Sequence, residues 1–210
     1  MIKTTLFKHH FITSKTPTYK LMIVLHSKGD TLNLFRNFPN EIKIKNINYL
    51  LLNAPKKFMK GYSWYGDPPY IKAGVLRSRQ LLLKLIEELE AQGWHTKNMF
   101  ILGFSQGCLM GTDLVLNSQK KFGGMIGISG YFHFFPRWKK LSSHSKKTPC
   151  LFTHGRKDDV LPMDVTKYGV EKLKSAGFQI DWIESDKKHV FTDDDNQQIN
   201  QWLQEKIFEL

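Results

Sequence analysis

Long hydrophobic runs are missing from this sequence. The longest uninterrupted apolar stretches, such as Leu21–Leu25, have the length of a strand, far short of the ~20 residues that cross a bilayer. The amino-terminal MIKTTLFKHHFITSK has no apolar core followed by small residues, so no export signal is read there and a cytoplasmic location is expected. Cysteine is scarce. Cys108 and Cys150 are the whole complement, which excludes a disulfide framework, and their spacing matches no metal site. Both stand among apolar residues, where a small buried hydrophobe is the expected role. Repeats, linkers and low-complexity tracts are also lacking, which predicts one domain over residues 1–210. Acidic residues are few: 19 Asp and Glu face 31 Lys and Arg, for a net charge of +12. A basic surface favours anionic partners, an acidic lipid surface among them. The basic residues are scattered and no nucleic-acid motif accompanies them, so no nucleic-acid partner is expected and a solvated basic surface explains the charge.

What is present is an alternation of short apolar runs and helical patterns. Lys20–His26 (KLMIVLH) reads as a strand buried on both faces, Ile47–Leu52 (INYLLL) as the next buried strand, Gly123–Ser129 as a further strand rich in glycine where helices pack closely, and Pro149–His154 as another strand. Thr5–Thr13 suits an edge strand and Gln179–Glu184 a final one. Asp30 or Thr31 can cap a short helix after the first buried strand. Helical spacing runs from Ile71 to Gln92, ended by Gly93, then over Val165–Ala176, ended by Gly177, and over Asp193–Phe208. Lys56–Tyr70 reads as irregular and aromatic, and Tyr131–Lys147 as aromatic first and basic later. Strands alternating with helices predict an α/β fold with a mostly parallel, doubly wound sheet.

The centre of the chain is Met99–Leu116, MFILGFSQGCLMGTDLVL. An apolar run passes through Gly103-Phe104-Ser105-Gln106-Gly107 into a helical pattern, the strand–turn–helix context of a nucleophile elbow. The flanking glycines are required where side chains would strike the neighbouring strand and helix, and the helix amino end faces any oxyanion beside Ser105. An activated serine needs a base, and the base needs an orienting acid. Ligands in a parallel sheet sit beyond the carboxyl ends of the strands, and the elbow fold orders its residues serine, acid, histidine. His133, His144, His154 and His189 follow Ser105, but only His189 follows both Asp158 and the last strand. Ser105, Asp158 and His189 are therefore the candidate triad. The structural-bond role is expected for His154, and His26 is expected to brace a loop. Backbone N–H groups of Gln106 and Lys28 are the candidate oxyanion donors. Trp64, Tyr65 and Tyr131 lie on the same side of the sheet and are candidates to line an acyl pocket.

From about Leu21 to the last helix, the chain resembles the phospholipase/carboxylesterase family of α/β-hydrolases, which includes the acyl-protein thioesterases. His26–Thr31 is similar to that family's H-G-x-G-D-T loop, Asn53-Ala54-Pro55 and Trp64-Tyr65 to its A-P and aromatic segment, GFSQG to its elbow, Ser129-Gly130-Tyr131 to its S-G turn, and Thr148–Pro162 to its H-G-x-x-D-x-x-x-P motif. The resemblance implies a minimal α/β-hydrolase fold with no cap domain. It also implies cofactor-free, metal-free hydrolysis of acyl esters or thioesters by the same triad. Ser27 stands where the family has glycine, which predicts a tightened loop or a displaced Lys28 amide, and Cys108 replaces a second glycine. The abbreviated stretch after Pro55 points to short or medium acyl chains. A lysophospholipase or acyl-protein thioesterase is the alternative, and a non-catalytic binding protein of the same fold a further one.

Overall fold

The computed structural model of the chain describes residues 2–133 and 141–208. Its frame is a seven-stranded sheet of β1 (His9–Ile12), β2 (Leu21–Leu25), β3 (Asn48–Leu52), β6 (Met99–Phe104), β7 (Gly124–Ile128), β8 (Cys150–Gly155) and β9 (Ile180–Ser185), in the order β1-β3-β2-β6-β7-β8-β9. All neighbours are parallel except β1, which pairs antiparallel with β3 at the edge. The first buried strands are continuous apolar runs because both of their faces are covered. Alternation persists within them: Leu21, Ile23 and Leu25 face one apolar cluster, whereas Met22 and Val24 face the other.

The first cluster is closed by α2 (Ile71–Ala91), α3 (Gln106–Asn117) and α5 (Met163–Ser175), through Val75, Leu82, Leu85 and Leu89, then Leu109 and Leu114, then Val170 and Leu173. The second is closed by a 3₁₀ turn (Leu32–Phe35), α1 (Phe38–Ile42) and α6 (Asp193–Phe208), through Phe35, Phe38, Ile42, Ile199, Trp202 and Leu203. A short α4 (Ser143–Lys146) precedes β8. The cap expected at Asp30 or Thr31 falls to Thr31, whose side chain accepts from Asn33 N–H. Among the described residues no helix is long and apolar enough to cross a membrane. Residues 134–140 of the aromatic-to-basic stretch lie outside those described.

The stretch expected to be irregular is partly regular. Lys56–Phe58 (β4) and Gly61–Ser63 (β5) form an antiparallel hairpin. Its order comes from a distant partner: Gly29 N–H donates to Tyr62 O at 2.8 Å and Tyr62 N–H to Asp30 O at 2.9 Å. Two backbone bonds from the loop after β2 thus hold the hairpin, which hydrophobic periodicity within it does not reveal. A side chain at Gly61 would overlap the Gly29 carbonyl, so the close approach requires glycine.

Candidate active site

Ser105 stands between β6 and α3 with φ 53° and ψ −113°. This conformation costs a non-glycine residue roughly 1–3 kcal/mol and persists because its surroundings impose it. The surroundings are the two elbow glycines. A Cβ on Gly103 would overlap the Gly107 carbonyl, and one on Gly107 would overlap the Leu25 carbonyl, so α3 can lie directly on β2 and β6. Cys108 adds bulk where the resemblance expects glycine, and the space is returned elsewhere: a Cβ on Gly130 would overlap the Cys108 side chain, and one on Gly127 would stand 2.6 Å from its Sγ. Gly130→Ala is accordingly expected to destabilise the fold by roughly 1–3 kcal/mol. Adding Cys108→Gly is expected to recover part of that loss, so denaturant melts of the four-member cycle should show a non-additive pair. Burial pushes the Cys108 and Cys150 thiols up to about 12, consistent with inert core residues.

His189, in the loop between β9 and α6, brings its Nε2 to 2.8 Å from Ser105 Oγ. Its Nδ1 lies 2.8 Å from Asp158 Oδ2. A carboxylate can only accept, so Nδ1 carries the proton and Nε2 offers its lone pair to the serine hydroxyl. The Phe104 ring stacks on the imidazole at 5.3 Å between centroids. Asp158 is held from its other oxygen, where Oδ1 accepts from Val160 N–H at 3.0 Å and Leu161 N–H at 2.8 Å. Burial raises the Asp158 carboxyl, but bonds from Leu161, His189 and Val160 outweigh it and hold the group below the ordinary carboxylate range. Asp159 points elsewhere, 65% exposed and 3.5 Å from Lys188 Nζ.

The two other strand-end histidines have the expected supporting roles. His154 Nε2 lies 2.9 Å from Leu161 O and 3.2 Å from Asp158 Oδ2, and burial lowers its pKa. His26 donates from Nδ1 to Ser27 O and accepts at Nε2 from Ala54 N–H at 3.0 Å, fixing a neutral tautomer that burial favours. Ser27 tightens its loop, since its hydroxyl donates to Asp30 Oδ2.

Beside Ser105 is a cavity of about 300 Å³, at the lower end of the ~300–1,000 Å³ of ligand pockets. Lys28, Gln106, Tyr65 and Tyr131 line it, with Ser105 and His189. The Lys28 ammonium pairs with Asp67 at 2.5 Å, and the Tyr65 and Tyr131 hydroxyls meet at 2.7 Å. Trp64 is the correction among the expected pocket residues. It is fully buried, packs against Phe7 and His26, and donates from Nε1 to His26 O at 2.9 Å. A ring with one N–H and a large apolar body is satisfied best beneath the loop, where both needs are met.

Several residues of the site carry no local sequence signal. The Gln106 side chain accepts from Trp64 N–H at 2.8 Å and Ser63 Oγ at 3.2 Å and donates to Tyr65 O at 3.0 Å, fastening the aromatic segment to the elbow. Lys187 is buried, with Nζ 2.5 Å from Asp195 Oδ1, and Asp195 also accepts from Thr153 and Thr192, so the His189 loop is tied to β8 and α6. Asp158 did carry one signal, as Asp bonding the N–H groups two and three residues on is the habit of turn-forming aspartates. Among the described residues no group of three His, Cys, Asp or Glu side chains is placed to hold a metal ion.

Residues 8–207 match the family model described as Phospholipase/Carboxylesterase. An acyl-protein thioesterase 1 of Yarrowia lipolytica is 26% identical over 223 residues, spanning 94% of this chain and 96% of that protein. A protein described as a probable inactive carboxylesterase, from Oryza sativa subsp. japonica, is 26% identical over 189 residues, with 81% and 77% covered. The crystal structure of Arabidopsis thaliana SOBER1 superposes with a TM-score of 0.84 at 22% identity, covering 91% of this chain and all of that one. That of esterase PE8 gives 0.85 at 21% identity, covering 95% and 98%.

Proposed function

The chain belongs to the phospholipase/carboxylesterase family, and from that membership we propose that it is a serine carboxylesterase that cleaves short to medium acyl esters through an acyl-enzyme. The observation that carries the reading is the unbroken hydrogen-bonded line from Ser105 Oγ to His189 to Asp158, each link 2.8 Å. Ser105 Oγ attacks the acyl carbonyl as its proton passes to His189 Nε2. Asp158, ionised at neutral pH, stabilises the imidazolium and keeps Nδ1 protonated. The N–H of Gln106, at the amino end of α3, and that of Lys28 receive the oxyanion. His189 then returns its proton to the leaving alkoxide oxygen, and the alcohol departs. Water, deprotonated by the same Nε2, attacks the acyl carbonyl; the Ser105–acyl bond breaks and the serine regains the proton.

The same line of side chains weighs against a non-catalytic role of the kind named for the rice relative. The small volume of the cavity lined by Tyr65 and Tyr131 favours short acyl groups over the long chains that an acyl-protein thioesterase would take. A fluorophosphonate probe followed by peptide mass spectrometry is expected to place one adduct on Ser105. On p-nitrophenyl esters from acetate to palmitate, kcat/KM is expected to peak by octanoate and fall about tenfold or more at palmitate, in keeping with the few kcal/mol that pocket fit contributes. An adduct elsewhere would end the serine reading, and kcat/KM rising to palmitate would select the thioesterase or lysophospholipase reading.

A further inference from the structure

His189 stands in the loop between β9 and α6, and one carboxylate holds both ends of that loop. At the far end, Thr192 N–H and Oγ1 donate to Asp195 Oδ2 at 2.9 and 2.8 Å. At the near end, Lys187 Nζ donates to Asp195 Oδ1 at 2.5 Å, and Thr153 Oγ1 on β8 donates to the same oxygen at 2.7 Å. Asp195 is 1% exposed and Lys187 7%. Among the described residues of this lysine-rich chain, Lys187 is the one lysine that is buried. Taking an ammonium out of water is costly, and a buried ion pair is weak evidence for stability, so folding alone gives little reason for it.

The two oxygens of Asp195 have different partners. Oδ2 belongs to a capping box with Thr192, since Asp195 N–H donates back to Thr192 Oγ1 at 3.3 Å, and that accounts for the start of α6. Oδ1 has no part in the cap. It ties the loop to β8 through Thr153 and, through Lys187, to the turn that carries the acid. The Lys187 main chain lies against that turn: its carbonyl accepts at 3.1 Å from the N–H of Lys157, the residue before Asp158. A Cβ on Gly155 would stand 2.0 Å from the same carbonyl oxygen, so the two backbones meet directly. Lys187 thus joins the acid loop to the base loop, and its side chain fixes that junction against β8 and α6. Burial lowers the Lys187 pKa, while the carboxylates of Asp195 and Asp158 oppose the shift.

Resting on the reading of His189 as the base, we propose that Lys187 and Asp195 are its positioning residues. Their ion pair holds the 186–192 loop so that Nδ1 meets Asp158 while Nε2 meets Ser105, both at 2.8 Å. Neither residue takes part in the proton transfers itself.

The test uses two variants of the full chain. Lys187→Met keeps the stem of the side chain and the α6 cap, and Lys187→Met with Asp195→Asn removes the charges as a unit, leaving no buried ion unpaired. Ile199→Val, on the buried face of α6, is the control for lost stability alone. In both test variants kcat on p-nitrophenyl acetate is expected to fall about 10- to 100-fold with KM nearly unchanged, the scale of a misplaced catalytic group. Fluorophosphonate labelling of Ser105 should slow by the same factor, because it draws on the same base. The downfield proton resonance of His189 Nδ1–H, assigned by its absence in His189→Gln, should shift or vanish in both. Ile199→Val should lower Tm and leave kcat and the resonance as they are. Wild-type kcat or an unmoved resonance in a folded test variant, a loss confined to KM, or an equal loss of kcat in Ile199→Val would each overturn the proposal. Failure of both test variants to fold would give the pair a structural role instead and overturn it equally. If the wild type neither turns over ester nor labels at Ser105, the esterase reading fails by itself, and the resonance still decides whether the pair positions His189.

Discussion

Replacing Ser105 with alanine is expected to lower kcat about 10⁶-fold, the scale seen when the nucleophile of a triad is removed. The reason is geometric. Among the described residues the hydrogen-bond partner of His189 Nε2 is the serine hydroxyl, and alanine leaves the base with no nucleophile to activate for the acyl transfer. A residue of ~10³-fold acceleration over water should survive, supplied by oxyanion donors and substrate binding. Alanine inherits the same φ of 53°, so the strain of the elbow is unchanged and Tm should move little. Fluorophosphonate labelling should vanish in parallel with turnover. Labelling or turnover that survives in a folded Ser105→Ala protein would move the nucleophile elsewhere.

Asp158→Asn is expected to cost about 10⁴ in kcat with KM nearly unchanged, whereas Asp159→Asn should stay near wild type. Asparagine at 158 can still accept from Val160 and Leu161, so the turn survives. Facing His189, however, its amide can turn an N–H toward Nδ1 and favour the tautomer that protonates Nε2, which cannot then accept from Ser105. Among the described residues Asp159 pairs with exposed Lys188 and not with His189 or Ser105. Stability should report the same difference. The Asp158 carboxyl is depressed in the folded chain relative to an unfolded value near ~3.9. Its contribution is therefore present above that value and is lost as pH falls through the lower, folded pKa. The acid-side loss of Tm attributable to this group should be absent in Asp158→Asn and retained in Asp159→Asn. Should Asp159→Asn prove inactive and Asp158→Asn active, the orienting acid has been assigned one residue out of register.

The parts of this protein legible in its residues were those set by local spacing. Continuous apolar runs such as Leu21–Leu25 announced strands covered on both faces, and the 3.6-residue period of Val75, Leu82 and Leu89 announced α2. Ser105, Asp158 and His189 could be singled out because a parallel sheet brings the ends of its strands to one edge and the elbow fold orders its residues serine, acid, histidine. Even the two glycines of the elbow could be assigned a cause before their neighbours were known.

What local spacing could not supply was every arrangement in which one segment is explained by another far along the chain. The β4–β5 hairpin is ordered by Gly29 and Asp30, so its own residues read as irregular. Trp64 resembled a pocket aromatic until His26 provided a carbonyl for its indole beneath the loop. Cys108 is tolerated because residues 127 and 130 are glycines on a different strand and its following turn. Periodicity records which face of an element is buried, whereas partner identity across such separations depends on register and close packing, which no window of the sequence contains.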